Sequence, residues 1–322
     1  MRRVLLTGAG GFIGRHAPAA LRARGFEVHA VASGKSPIPA AGGDVAAWHQ
    51  ADLLDPAAAR TLVEQVRPTH LLHLAWYAEH GLFWTSTENV RWVEASLRLL
   101  RAFGDAGGER AVMAGTCAEY DWSVGGLYLE GASPLAPATL YGTCKHALHL
   151  VGEAWCKQGG IEFAWGRIFL LFGPGEHPER LVSAVARAVL AGQPARCSHG
   201  RQLRDFLYSP DVADAFAALL DSGVRGAVNV GSGERASIGE LVGLVGAVAG
   251  DAGLVRLGEL SARAEEPMEL LADVGRLRDE VGWVPRLTLA EGVERTVQWW
   301  REQREPLIGE GTGIDGRAQP GD

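Results

Sequence analysis

"LLTGAGGFIG", residues 5–14, decides how this chain folds. Its first residues finish a short apolar run, Val4 to Leu6, with the length of a buried strand. Gly8, Gly11 and Gly14 follow at the spacing of a turn that opens a helix, with Phe12 and Ile13 inside it. Such a turn needs a tight reversal at Gly8, close approach of backbone to a pyrophosphate near Gly11, and close helix packing at Gly14. The helix N-terminus then offers free N–H groups and a partial positive charge to phosphate oxygens. Glycines in series can form a turn and nothing more. These stand at the head of a βαβ pattern of about thirty residues, which favours a dinucleotide site.

Outward from that turn, "EVHAVAS" (27–33), "VAAWHQADL" (45–53), "THLLHLAW" (69–76), "RAVMAGT" (110–116) and "IEFAWGRIFLLFG" (161–173) alternate with helical patterns. Short β-prone runs spaced by helices imply parallel strands joined by crossovers, an α/β doubly wound sheet of the Rossmann type. Ligands of such sheets sit at the carboxyl ends of the strands. Past residue 171 the rhythm changes and a smaller C-terminal α/β substrate lobe is expected. The division read here is 1–170 plus about 203–225 for the NAD(P)-binding domain, and 171–202 plus about 226–304 for the substrate lobe. Residues 305–322, rich in Gly, Asp and Pro without periodic apolar positions, read as a flexible tail.

Composition excludes several classes. A formal charge of −7 over 322 residues, with no basic block, opposes nucleic-acid binding. The apolar run after "MRR" is too short for a signal peptide or a membrane span, so a cytoplasmic protein is expected. Cys117, Cys144, Cys156 and Cys197 lack paired spacing and the 10 histidines lack a metal-binding motif; reduced thiols and no metal are expected.

Beyond the glycines, "EVHAVAS" ends in Ala32 and Ser33, with Lys35 close behind and no acid for a ribose 2′-hydroxyl. A hydroxyl and an ammonium there suit a 2′-phosphate, so NADP is favoured and NAD stays open. Asp52, at the end of the third run, is placed to meet adenine. "LYGTCKHALHL" puts Tyr141 and Lys145 at i and i+4 on one helix face, where the ammonium would lower the phenol's pKa and ready it for proton transfer. Thr116, 25 residues before Tyr141, ends the fifth run, where a hydroxyl can share a substrate oxygen with it. A Tyr-x-x-x-Lys pair alone is weak; the ordered set is specific.

With "TGAGGFIG", "GTCAEYD", "PLAPATLYGTCK", "GRIFLLFGPGE", "RDFLYSPDVADA" and "VNVGSGE" in this order, the chain resembles the extended short-chain dehydrogenase/reductase family of nucleotide-sugar epimerases, dehydratases and 4-ketoreductases. The resemblance implies a nucleotide-sugar substrate and assigns Thr116, Tyr141 and Lys145 as catalytic. It adds Leu53 beside Asp52 at the adenine, Leu74 and Ala75 at the middle of the cofactor, and Ile168 as a further cofactor contact. Arg204 and the less certain Arg180 would meet the substrate's diphosphate. Trp76, in the loop after the fourth strand, is a substrate candidate or simple packing. Trp92 and Trp155, on helices that pair subunits in many relatives, suggest a homodimer.

Three departures bear on the chemistry. Dehydratases of this group follow the threonine with Asp and Glu; Cys117 and Ala118 stand here. Leu170 replaces an asparagine common in the epimerases, and Glu119 takes an apolar position. The expected activity is reduction of a 4-keto-6-deoxy nucleotide hexose with NADPH. A 4-epimerase with tightly held NAD is the alternative, and a cofactor-sensing regulator the remote one.

Overall fold

The computed structural model describes residues 2–33, 43–261 and 266–303. The first apolar run is strand β1, Arg3–Thr7, buried from Val4 onward. Strands β2 (Glu27–Ala32) and β3 (Ala47–Gln50) add to one side of it, β4 (His70–His73) and β5 (Arg110–Thr116) to the other. Glu162–Ile168 and then Gly226–Val230 extend the sheet beyond β5 to seven strands. Every pairing in it is parallel, so each connection must cross a face and both faces are covered.

Alternation along the strands sorts the core. Val4, Leu6 and Val112 face one layer with Phe216, whereas Leu5, Ala111 and Met113 face the other with Leu99 and Leu148. Helices α1 (Ala17–Ala23), α2 (Ala58–Val66), α3 (Glu88–Asp105) and α4 (Leu140–Gly159) serve the strands as crossovers. From β3 the chain returns past β1 to β4, so the β1/β4 junction is the topological switch where an open α/β sheet forms its ligand crevice.

Past the sheet, α5 (Leu181–Leu190) precedes α6 (Ser209–Asp221), which packs on α1 and the sheet. α5 joins α7 (Ile238–Ala249) and α8 (Leu289–Glu302) around a separate core of Val182, Val185, Leu241, Val245, Val297 and Trp300. A four-stranded sheet of Ala236–Ser237, Leu203–Arg204, Glu269–Ala272 and Gly126–Tyr128 joins later segments of the chain to one strand from between β5 and α4.

Two boundaries differ from the sequence reading. Gly226–Val230 belongs to the large sheet, because the edge left by Glu162–Ile168 pairs with it over five residues. Leu203–Arg204 belongs to the small sheet. The long run 161–173 is also two strands: at Phe169 the backbone turns its N–H to Val230 (3.0 Å), and Leu170–Phe172 pairs instead with Phe206–Tyr208. The expected tail, 305–322, lies outside the described residues, among which no helix is long and apolar enough to cross a membrane.

Candidate active site

The glycine turn is pressed against the end of β4. Gly8 has φ +71°, and a Cβ there would stand 2.7 Å from the Ala75 nitrogen and 2.8 Å from the Leu74 carbonyl carbon. A Cβ on Gly14 would fall 2.0 Å from the Gly8 oxygen. Gly10, by contrast, borders open space. These contacts make a backbone-walled turn at the β1/β4 switch, the place where an open α/β sheet takes its ligand. Thr7 joins the strands beneath it, its hydroxyl 2.7 Å from His73 Nδ1 and accepting from Ala75 N at 3.3 Å. Burial, then the Lys145 charge, push His73 down to about 3, so it remains a neutral hydrogen-bonding post. Gly14→Ala should weaken NADH binding at least about tenfold, since the added methyl must displace the cradle's own backbone; fluorescence titration with near-wild-type affinity would contradict this.

Thr116 is the last residue of β5 and is buried. Its hydroxyl accepts from Ala118 N at 3.2 Å, and its own N–H donates to Glu119 Oε1 at 2.9 Å, a reciprocal cap on the single turn Cys117–Glu119. Gly142 lets α4 close on this turn, for a Cβ there would lie 2.3 Å from the Ala118 oxygen. Tyr141, the neighbouring residue, is thereby brought to the Thr116 side chain, to which it hydrogen-bonds. Its N–H donates to Trp84 O at 3.1 Å, and its ring meets Phe83 and Trp84 edge-on, with centroids 4.9 and 5.7 Å away.

The sequence argument for a lowered Tyr141 pKa is corrected by this geometry. Burial pushes the phenol above its ordinary value; the Thr116 hydrogen bond opposes that, and the charges of Cys117 and Glu119 add to it. Lys145 is on the same helix but reaches elsewhere. Its Nζ donates to Ala114 O at 2.7 Å and sits 3.8 Å from the centre of the Trp76 ring. Burial lowers the ammonium to about 7, with Glu119 opposing the shift. Tyr141 therefore keeps its proton at neutral pH.

The remaining expected residues separate into groups. Leu74 and Ala75, expected at the middle of the cofactor, lie with their backbone against Gly8, and Ile168 pairs with Thr116 at the end of β5. Ser33 is exposed just past β2, and Lys35 lies outside the described residues. Asp52 is exposed and caps its own turn (Leu54 N, 3.0 Å), while Leu53 packs in the core with Val31 and Ala59. Trp76 is turned inward, its Nε1 donating to Asn89 Oδ1 at 2.8 Å. Arg180 pairs with Glu176 at 3.2 Å and adds positive charge near Tyr141. Arg204 is buried, donating to Leu203 O at 2.8 Å and Glu266 Oε1 at 2.8 Å.

Several residues of the site were not found from sequence. The Glu119 carboxylate binds Arg167 Nε at 3.0 Å and Trp165 Nε1 at 2.8 Å; the pattern Thr-x-x-Glu in "TCAE" was its available signal. Phe83 and Trp84 sit in a loop with no such pattern. Arg15 joins the cradle to the substrate side, donating to Gly11 O at 3.2 Å and Gly175 O at 3.4 Å.

Buried Glu176 gives a test by pH. Desolvation raises it to about 7, against which Arg180 and the Ser183 hydroxyl (3.0 Å) work. A carboxyl raised above its unfolded value binds its proton more tightly in the folded protein. Its penalty is absent below the unfolded pKa of 4.5 and complete above about 7. Glu176→Gln should thus stabilise the protein at pH 8 by about 2 kcal/mol and leave it unchanged at pH 4; equal effects at both pH values in urea titrations would refute this.

The chain is similar to known proteins in sequence and in fold. A family model described as the NAD dependent epimerase/dehydratase family matches residues 4–231. UDP-glucuronic acid decarboxylase 1 of Xenopus tropicalis is 29% identical over 55% of this chain and 42% of its own length. The matched region spans about half the length of that relative. A GDP-6-deoxy-D-mannose reductase of Pseudomonas aeruginosa is 27% identical over 94% of this chain and 98% of its own. The UDP-glucose 4-epimerase of Thermus thermophilus in complex with NAD superposes with a TM-score of 0.77 at 28% identity, covering 93% and 99% of the two chains. Matched over residues 4–231, most of its length, the chain belongs to the NAD dependent epimerase/dehydratase family.

Proposed function

We propose that the protein reduces the ketone of a 4-keto-6-deoxy nucleotide hexose, with NADPH as its coenzyme. The observation that carries this reading is the pair that follows Thr116. Elimination of water requires an acid and a base there, but Ala118 has no titratable group and the buried Cys117 thiol is pushed up to about 12. Ketone reduction asks for neither. The full-length likeness to a reductase supports the same choice.

The cradle of Gly8, Gly11 and Gly14, with Phe12 and Ile13, would hold the pyrophosphate, and Lys145 the nicotinamide ribose. Bound there, the reduced nicotinamide supplies a hydride. The protein's own part is to place the carbonyl oxygen between Thr116 and Tyr141. As that oxygen gains negative charge, the Tyr141 proton passes to it and the Thr116 hydroxyl steadies it. Solvent then returns a proton to the phenolate that is left.

Ser33, exposed at the end of β2 in place of a carboxylate, supports NADP over NAD. Arg180 and Arg204 are the cations proposed for the substrate diphosphate; Arg204 would exchange part of its bonding with Glu266 for it. A cytoplasmic homodimer is proposed through α3 and α4, which expose Val90, Leu150 and Val151 at 46%, 53% and 50%.

A second reading, a 4-epimerase, is favoured by the likeness to the Thermus enzyme with NAD. Mixing the protein and NADPH with a panel of 4-keto-6-deoxy nucleotide sugars and following nicotinamide absorbance separates the two. Oxidation with at least one sugar is expected. No oxidation, together with interconversion of UDP-glucose and UDP-galactose, would establish the epimerase instead.

A further inference from the structure

Glu119 is wholly buried. An ionised carboxylate in that position needs donors for both oxygens and a compensating cation. Thr116 N and Trp165 Nε1 meet Oε1; Arg167 Nε meets Oε2, with His146 Nδ1 and His149 Nδ1 each 3.9 Å away. The carboxylate and the two histidines have the makeup of a cation site, but the Arg167 guanidinium already supplies the positive charge there. Arg167 continues through the Tyr120 hydroxyl (3.3 Å) to Asn229 (2.8 Å), so one end of the group is closed by hydrogen bonds.

The other end faces Lys145. Its ammonium lies over Trp76 at 3.8 Å and Trp165 at 6.0 Å. Trp165 links the two charges: its ring faces the ammonium while its Nε1 donates to Glu119. A carboxylate accepting from an indole N–H enriches the ring in electron density and strengthens its attraction for a cation. Chain geometry is committed to this link. A Cβ on Gly115 would stand 2.6 Å from Glu119 Oε1 and 2.1 Å from Trp165 Nε1.

We propose that Glu119 is a positioning residue that keeps Lys145 an ammonium in its aromatic pocket, acting through Trp165 and by direct charge. This rests on the reading that Lys145 holds the cofactor ribose. The groups that face this pair from neighbouring elements are few. His73 on β4 is neutral, pushed down to about 3, and Tyr141 on α4 keeps its proton. His149 on α4 is pushed down to about 4 by burial, Cys117 up to about 12, and Arg167 stays charged. His146, on the solvent side of Glu119, is removed as a variable by a His146→Gln background.

NADH binding across the neutral pH range, followed by nicotinamide fluorescence, tests this without a substrate. Affinity of the His146→Gln protein should fall as pH rises through about 7 and the ammonium is lost. Lys145→Met should abolish that step. Glu119→Gln should move its midpoint down by about one pH unit. Glu119→Gln with Arg167→Gln leaves neither charge buried alone, keeps the fold, and should show the same displaced midpoint. An unmoved midpoint in both Glu119 variants, with the step still abolished by Lys145→Met, overturns the proposal. A step that survives Lys145→Met overturns instead the reading of Lys145 on which it stands.

Discussion

Tyr141→Phe should lower turnover about 10²- to 10⁴-fold while NADH affinity stays within a few-fold of wild type. Phenylalanine keeps the ring that Phe83 and Trp84 hold edge-on and the backbone bond to Trp84 O, so the change removes one proton and little else. Thr116 remains, capped by Ala118 N and Glu119, and can still hydrogen-bond a ketone oxygen. What disappears is the group that delivers a proton to the oxygen as it gains charge. Melting temperature serves as control, since no buried partner is left unpaired except a hydroxyl able to rotate. Full turnover in this variant would remove Tyr141 from the chemistry. A protein that bound cofactor but turned over nothing, in wild type as in the variant, would point to the sensing role.

The second large effect concerns stability. Arg167→Met should cost about 3–5 kcal/mol, because it strands the Glu119 carboxylate in a site with no access to water. Methionine fills part of the volume, so loss of packing is small beside loss of the charge. Glu119 is held below the ordinary carboxylate range, burial being outweighed by the nearby His146, the Arg167 charge and the Thr116 N–H. A carboxyl lowered in this way contributes stability above its unfolded pKa and loses it as pH falls through the folded value. The cost of Arg167→Met should therefore shrink in acid, where the stranded carboxyl can take up a proton. Urea titrations at pH 7 and in mild acid measure both statements. A loss below about 1 kcal/mol at neutral pH would mean the pair is not closed to solvent.

The sequence was most legible where a local pattern carries its own mechanism. Three glycines at fixed spacing read as the turn that opens a helix after β1, and β5 ends at Thr116 as its apolar run ends. The likeness of fold and family followed from the same residues. Less legible was anything decided by contacts between distant segments. Nothing in "LYGTCK" reveals that Lys145 turns to Ala114 and Trp76, since that depends on a side chain from β4's loop filling the space beside it. Arg204 was expected at a diphosphate, and nothing around it in the chain reveals that Glu266, 62 residues on, is its partner. "GAVNV" was read with the substrate lobe, since a short run of this kind carries no mark of the sheet edge it completes, here that of Glu162–Ile168. Glu119 was the reverse case, a legible cap that was read only as a departure.

Gly115 and Glu119 behave as one inherited character. The methyl of any other residue at position 115 would occupy the place of the carboxylate oxygen and the indole nitrogen together. A descendant that gained a side chain at 115 would have to surrender the acid at 119 and, with it, the matching of Arg167. An apolar residue at 119 is therefore reached through a less stable protein unless the charges at 119 and 167 are given up together.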